Sequence, residues 1–223
     1  MSIIESYNNI YSEVLKCSKK AGHNVELLAV SKNQDISKME ELACNNVLMF
    51  GESKVQEALP KIEYLSNKYN NLDFHFIGKV QTNKLKKIVE YFNLIHSVDR
   101  HDVLKLINNY ACELGKKQNV LIQLNIACET QKNGIAVENL DDILNASAAL
   151  ENVVVKGLMF MPPYEEDITK NIKYFNMANS LFNKYKSNTF NTLSMGMSHD
   201  FCLAIEYGAT LVRVGTNIFG ERL

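Results

Sequence analysis

The chain has 223 residues, 46% of them apolar and 22% charged, with 24 basic against 25 acidic side chains and a formal net charge of −1. A chain of that size closes a full core without staples, and so even a balance of charge gives no field to draw nucleic acid or an anionic membrane. Composition excludes a disulfide scaffold, a disordered tail and a polybasic binder, so function must be sought in a site.

Ile3, Tyr7, Ile10 and Val14 recur at helical spacing with Ile4, Tyr11 and Leu15 beside them, which predicts an amphipathic first helix. Glu5, Asn8 and Asn9 stand where a signal peptide would be basic and then apolar. No apolar run approaches the roughly 18 residues of a membrane span. Cys17, Cys44, Cys112, Cys128 and Cys202 form no CxxC pair and no metal-ligand spacing, which suits reduced thiols and a cytoplasmic protein.

Onward, short runs rich in branched and aromatic residues alternate with longer periodic stretches. Strands are expected at Glu26–Val30, Val47–Phe50, Asp73–Ile77, Leu94–Val98, Asn119–Ile126, Val153–Met161, Phe190–Ser194 and Leu211–Val214. Helical segments are expected near 36–45, 53–69, 83–92, 101–117, 138–150, 165–186 and 199–207. Strands separated by helix-length crossovers make a parallel sheet. At about 25 residues per unit, eight of them close most simply as a single (β/α)8 TIM-type barrel over residues 1–223, preceded by the extra N-terminal helix. An open doubly wound sheet is the alternative, weakened because no GxGxxG follows the first strand.

In such a barrel the strand C-termini carry the chemistry, and the loops after the last two strands commonly cradle a phosphate. Ser194-Met195-Gly196-Met197-Ser198-His199-Asp200 follow strand seven, and Val212-Arg213-Val214-Gly215-Thr216 finish strand eight. Ser198 is placed to cap the next helix, Gly196 and Gly215 would let backbone N–H groups approach phosphate oxygens, and Thr216 adds a hydroxyl. Arg213 points into the barrel, where an unpaired guanidinium is costly. Its partner is either an interior carboxylate such as Asp99 or an acceptor atom of a bound ligand. Lys32, at the end of strand one, faces this cradle; desolvation and a nearby cation favour the neutral amine that attacks an aldehyde. An amine, a phosphate cradle and a ring-reading arginine together describe a pyridoxal 5′-phosphate site. His75 and His96 lack a third ligand and read as hydrogen-bonded barrel residues, and the Lys79, Lys84, Lys86 and Lys87 cluster reads as a solvated face.

Several strings bear a resemblance: Leu28-Ala29-Val30-Ser31-Lys32, Phe50-Gly51-Glu52, Val55-Gln56-Glu57, His75-Phe76-Ile77-Gly78, Gln81-x-Asn83-Lys84, Gly157-Leu158-Met159, and the two phosphate-loop strings, the second running on to Ile218-Phe219-Gly220. From about residue 25 onward the chain resembles the pyridoxal phosphate homeostasis protein family, also called the proline synthetase co-transcribed homologue family, whose barrel is like the N-terminal domain of alanine racemases. The resemblance implies an imine between Lys32 and the cofactor, phosphate binding by Ser198, Gly215 and Thr216, and Arg213 facing the pyridine nitrogen. Met159 would wall the ring pocket. Ser53 stands where the family has Asn after Phe-Gly-Glu, and His199 where an acidic residue is common; Ser53 is kept as a cofactor contact.

Three functions compete. The first is a carrier without classical catalysis, a monomer that buffers pyridoxal phosphate or delivers it to apo-enzymes. The second is a racemase-like enzyme using the same cofactor. Relatives of the barrel take their second acid/base group from an added β-domain and a partner subunit, and the seven residues from Asn217 to Leu223 leave no room for such a domain. The third is a sugar-phosphate isomerase or aldolase with Lys32 as its Schiff-base amine. The carrier is the expectation.

Overall fold

The computed structural model describes residues 2–127, 129 and 133–220; Cys128 and the C-terminal Glu221, Arg222 and Leu223 lie outside the described residues. Helix α1 (Ile3–Ala21) starts at Ser2, whose Oγ accepts from the Glu5 N–H at 3.2 Å while the Glu5 carboxylate accepts from the Ser2 N–H at 2.8 Å. That reciprocal pair satisfies two end donors, and Gly22, at φ +77°, closes the last turn in a left-handed conformation.

Eight parallel strands follow, β1 (Glu26–Val30), β2 (Met49–Glu52), β3 (Asp73–Phe76), β4 (Leu94–Val98), β5 (Gln118–Leu124), β6 (Val153–Phe160), β7 (Thr192–Ser194) and β8 (Leu211–Val214). They pair in sequence order, and β8 returns to β1 with Arg213 opposite Leu28, so the barrel is closed. Between them run α2 (Ile36–Cys44), α3 (Val55–Ser66), α4 (Leu85–Tyr91), α5 (His101–Glu113), α6 (Leu140–Ala148), α7 (Ile172–Tyr185) and α8 (Phe201–Glu206), with the short α9 (Thr216–Phe219) after β8. The expected (β/α)8 barrel with its extra helix is the observed fold, and α1 lies on α8 and α9.

Boundaries differ for local reasons. Strand β2 begins two residues later than expected because Asn46 turns at φ +62° and the Val47 N–H donates to the Leu42 carbonyl, which assigns Val47 to the end of α2. Strand β7 loses Phe190 and Asn191 to a turn in which the Phe190 N–H donates to Ser187 Oγ at 3.1 Å. Helix α5 stops at Glu113 because Gly115 takes φ +63°.

Alternation along the strands separates two apolar groups. Ile95, Val120, Ile122, Leu158 and Phe160 join the large core between strands and helices, whereas Leu94, Leu121 and Met159 on the opposite strand faces form a small cluster of their own. Polar groups are buried among the strands as well: His75, His96, Ser194 and Arg213. Among the described residues no helix is long and apolar enough to cross a membrane.

Candidate functional site at the barrel mouth

A cavity of about 240 Å³ opens at the C-terminal ends of the strands. Val30, Ile77, Met159, Met161 and Met197 supply its apolar wall, and Lys32, Gln34, Ser198, His199, Arg213 and Thr216 its polar groups. An apolar slot with a few convergent polar groups is the usual form of a small-ligand site.

Lys32 lies two residues beyond β1, and its neighbours are pinned on both sides. Ser31 donates its N–H to the Gly51 carbonyl at 3.0 Å and its hydroxyl to Glu52 Oε1 at 2.8 Å, while the Asn33 N–H donates to Glu57 Oε1. The Lys61 ammonium joins these acceptors, at 3.0 Å from Glu52 and 2.7 Å from Glu57, and also donates to the Ser31 carbonyl at 3.2 Å. Burial pushes the Glu52 carboxyl above its ordinary value, against the opposing pull of Lys61. Removing one partner of such a buried pair costs about 3–5 kcal/mol, so the segment presenting Lys32 is stiff.

Arg213 reaches the cavity from β8 and is buried at its base. It donates to Ser194 Oγ at 2.6 Å and to the Phe160 carbonyl at 3.1 Å. Burial pulls its pKa down to about 10, opposed by the charge of Asp200, so it remains a cation at neutral pH. The interior carboxylate considered for it, Asp99, instead pairs with Arg100 at 3.1 Å. The acceptors that hold Arg213 are neutral, and its cavity-facing side is left to whatever fills the slot.

Ser198, Gly215 and Thr216 line the cavity together. The Gly215 N–H donates to Ser198 Oγ at 3.4 Å and the Asn217 side-chain amide to the Ser198 carbonyl at 2.9 Å, which ties the loop after β7 to the end of β8. Ser198 does not cap α8, as the sequence had suggested. That helix starts at Phe201, with Asp200 in the cap position and its Oδ1 accepting from the Met197 N–H at 2.7 Å. The hydroxyl of Ser198 is therefore committed to the cavity rim.

Two expected positions lie elsewhere. Gly196, at φ +93°, faces α8: a Cβ there would stand 2.6 Å from the Ala204 Cβ, so close helix packing requires the glycine. Ser53 lines a separate depression with Lys54, Gln56, Lys79, Gln81 and Lys84, because its backbone passes tightly over Gly78 at the end of β3. Sequence reasoning missed Gln34, Ile77, Met161 and Met197 as cavity residues. Met161 was within reach, since it follows Met159 at the strand period of two. His199 does reach the cavity, and its ring meets that of Tyr164 at 5.7 Å between centroids.

The family model for the alanine racemase N-terminal domain matches residues 6–223. The pyridoxal phosphate homeostasis protein of Aquifex aeolicus is 38% identical over 229 residues, spanning 100% of this chain and 99% of that one. The chain belongs to the pyridoxal phosphate homeostasis protein family. The family member from Synechocystis is 37% identical, covering 96% of this chain and 98% of its own. Among solved structures, PipY of Synechococcus elongatus with pyridoxal phosphate bound superposes with a TM-score of 0.86 at 32% identity, covering 98% of this chain and 100% of PipY. Alanine racemase of Clostridium difficile shares the fold, with a TM-score of 0.75 at 15% identity, and this barrel corresponds to 56% of that chain.

Proposed function

We propose that this chain, as one domain over residues 1–223, holds pyridoxal 5′-phosphate in the barrel mouth and serves cytoplasmic vitamin B6 homeostasis by buffering or delivering the cofactor. The observation that carries the reading is the convergence of Lys32, Arg213, Ser198, Gly215 and Thr216 on one cavity of about 240 Å³. The donor set fits the group: an amine for an aldehyde, the Ser198 and Thr216 hydroxyls for a phosphate, a cation for a ring nitrogen, and Met159, Met161 and Ile77 as apolar walls.

When bound, the cofactor supplies an electrophilic aldehyde carbon and an aromatic ring able to draw electrons. The chain does the rest. Lys32, between its pinned neighbours, would hold that carbon through a C–N bond, with the aldehyde oxygen released as water. Ser198 and Thr216 would hold the phosphate by donating hydrogen bonds from their hydroxyls. Arg213, a cation at neutral pH, would disfavour a proton on the ring nitrogen and so make the ring a poor electron sink. That last feature suits storage over turnover. As a monomer with a solvent-facing mouth, the protein would release its cargo to apo-enzymes by reversal of the same imine.

The visible spectrum of the protein incubated with pyridoxal phosphate and then dialysed tests this directly. A retained visible band, lost in Lys32→Ala, is expected; a wild-type protein that stays colourless would remove the proposal and restore the sugar-phosphate alternative.

A further inference from the structure

A line of polar side chains runs through the strand ring from Arg213 to the opposite mouth of the barrel. Arg213 donates to Ser194 Oγ at 2.6 Å; Ser194 Oγ lies 3.1 Å from His96 Nδ1; His96 Nε2 lies 3.0 Å from His75 Nδ1; and His75 Nε2 lies 3.2 Å from Asp73 Oδ2. These residues come from β8, β7, β4 and β3. His96 and Ser194 are fully buried, whereas Asp73 stands at a polar opening on the N-terminal face, also lined by His75, Asn93, Asn119 and Lys156.

The protons along this line are determined from both ends. A guanidinium only donates, so Ser194 Oγ accepts from Arg213, and its own proton has His96 Nδ1 as the acceptor in reach. At the far end an ionised Asp73 only accepts, so His75 carries its proton on Nε2 and presents a bare Nδ1 to His96. His96 then carries its proton on Nε2 and presents a bare Nδ1 to Ser194. The two derivations meet in one arrangement, with every hydrogen bond pointing from Arg213 to Asp73. Burial, with the neighbouring His75 and Arg213, holds His96 well below the ordinary histidine value, which agrees with a neutral ring. In the opposite tautomer, His96 would aim an N–H at Ser194, and the hydroxyl proton would turn against the guanidinium.

We propose that Asp73, His75, His96 and Ser194 form a one-directional relay that positions the Arg213 guanidinium at the base of the cofactor cavity and couples it to a carboxylate at the far end of the barrel. The four are positioning residues for the ring-facing cation, and this role rests on the proposed placement of the cofactor ring against Arg213. The Asp73 carboxylate at one end and Arg213, through Ser194, at the other select the same tautomers of both histidines, and those tautomers keep the Ser194 acceptor turned toward Arg213.

Ring-nitrogen NMR of the 15N-labelled, cofactor-free protein reads the relay without any cofactor. Both histidines are expected to carry a proton on Nε2, and the double variant Asp73→Ala/Ser194→Ala, which removes the determinant at each end, is expected to populate the second tautomer at His75 and His96. A proton on His96 Nδ1 in the wild type, or unchanged tautomers in the double variant, would overturn the proposal. With pyridoxal phosphate added, Ser194→Ala should weaken retention about tenfold through loss of the charged hydrogen bond, and Ser194→Thr should restore it. Unchanged affinity in Ser194→Ala would refute the positioning role. A wild-type protein that takes up no cofactor sinks the proposed function instead, and the relay is then decided by the ring-nitrogen signals alone.

Discussion

At Ser198 and Thr216, two hydroxyls sit on a rim tied together by the Gly215 N–H, and neither side chain carries the core. Loss of either hydroxyl should therefore cost cofactor retention, about five- to tenfold for a hydrogen bond to a charged phosphate, with under about 0.5 kcal/mol lost in folding stability. Equilibrium dialysis of Ser198→Ala and Thr216→Ala beside their urea midpoints checks this; equal retention would misplace the phosphate. His96 shows the converse, a buried group whose protonation concerns the fold. Burial depresses its folded pKa below the ordinary 6.5, so the unfolded chain binds the proton first as pH falls. Its contribution is fully present above about pH 6.5 and is lost as pH drops below that value toward the folded pKa, at about 1.4 kcal/mol per pH unit for one proton. His96→Gln should flatten that part of the stability profile in urea titrations between neutral and mildly acid pH. Sequence showed both histidines as hydrogen-bonded barrel residues, but their partners Ser194 and Asp73 lie 98 and 2 residues away and no local spacing marks such a line.

Strand β6 illustrates how an element both carries the site and hides it from the sequence. Gly157 has φ +150°, and a Cβ there would lie 1.8 Å from the Thr192 carbonyl oxygen, so β7 can approach only a glycine. The β5–β6 register shifts between Val120 and Leu121, which sets Leu121 opposite Gly157, and two residues on Met159 is paired with Ser194. Gly157→Ala should destabilise the protein by about 3 kcal/mol through strain and overpacking, and should disturb the cavity wall at Met159 as well. Urea denaturation gives the first and cofactor retention the second; a neutral substitution would mean that β7 shifts freely. The apolar periodicity made three strands legible to the residue, β1, β4 and β8. It misjudged the ends of β2 and β7, where Asn46 and Ser187 turn the chain by side-chain and backbone hydrogen bonds that leave no periodic trace. Motifs fix the positions of Ser53 and Gly196 along the chain, whereas only the folded loops after β2 and β7 show that neither lines the cavity that holds Lys32.

At the scale of the whole molecule, the question is whether a racemase-like barrel turns over or only holds its cofactor. Racemisation needs a base on one face of the α-carbon and an acid on the other, together with a ring that accepts the developing charge. Here Lys32 and the buried cation Arg213 line the same cavity, and in the proposed placement Arg213 would work against protonation of the ring nitrogen. The likeness to the Clostridium difficile alanine racemase, at 15% identity, is one of fold alone and assigns no catalysis to this barrel. The loaded protein is therefore expected to exchange the α-hydrogen of alanine with deuterated water far below the roughly 1–10³ s⁻¹ of ordinary enzymes, while passing its cofactor to an added apo-enzyme. Mass spectrometry of alanine incubated in deuterated water measures the first, and recovery of the apo-enzyme's activity the second. Turnover within the enzymatic range would make the barrel a catalyst. Slow exchange with prompt recovery would tie the function to the reversibility of the proposed Lys32 imine, which a hydrogen-bonded Lys32 segment and a cationic ring partner would together favour.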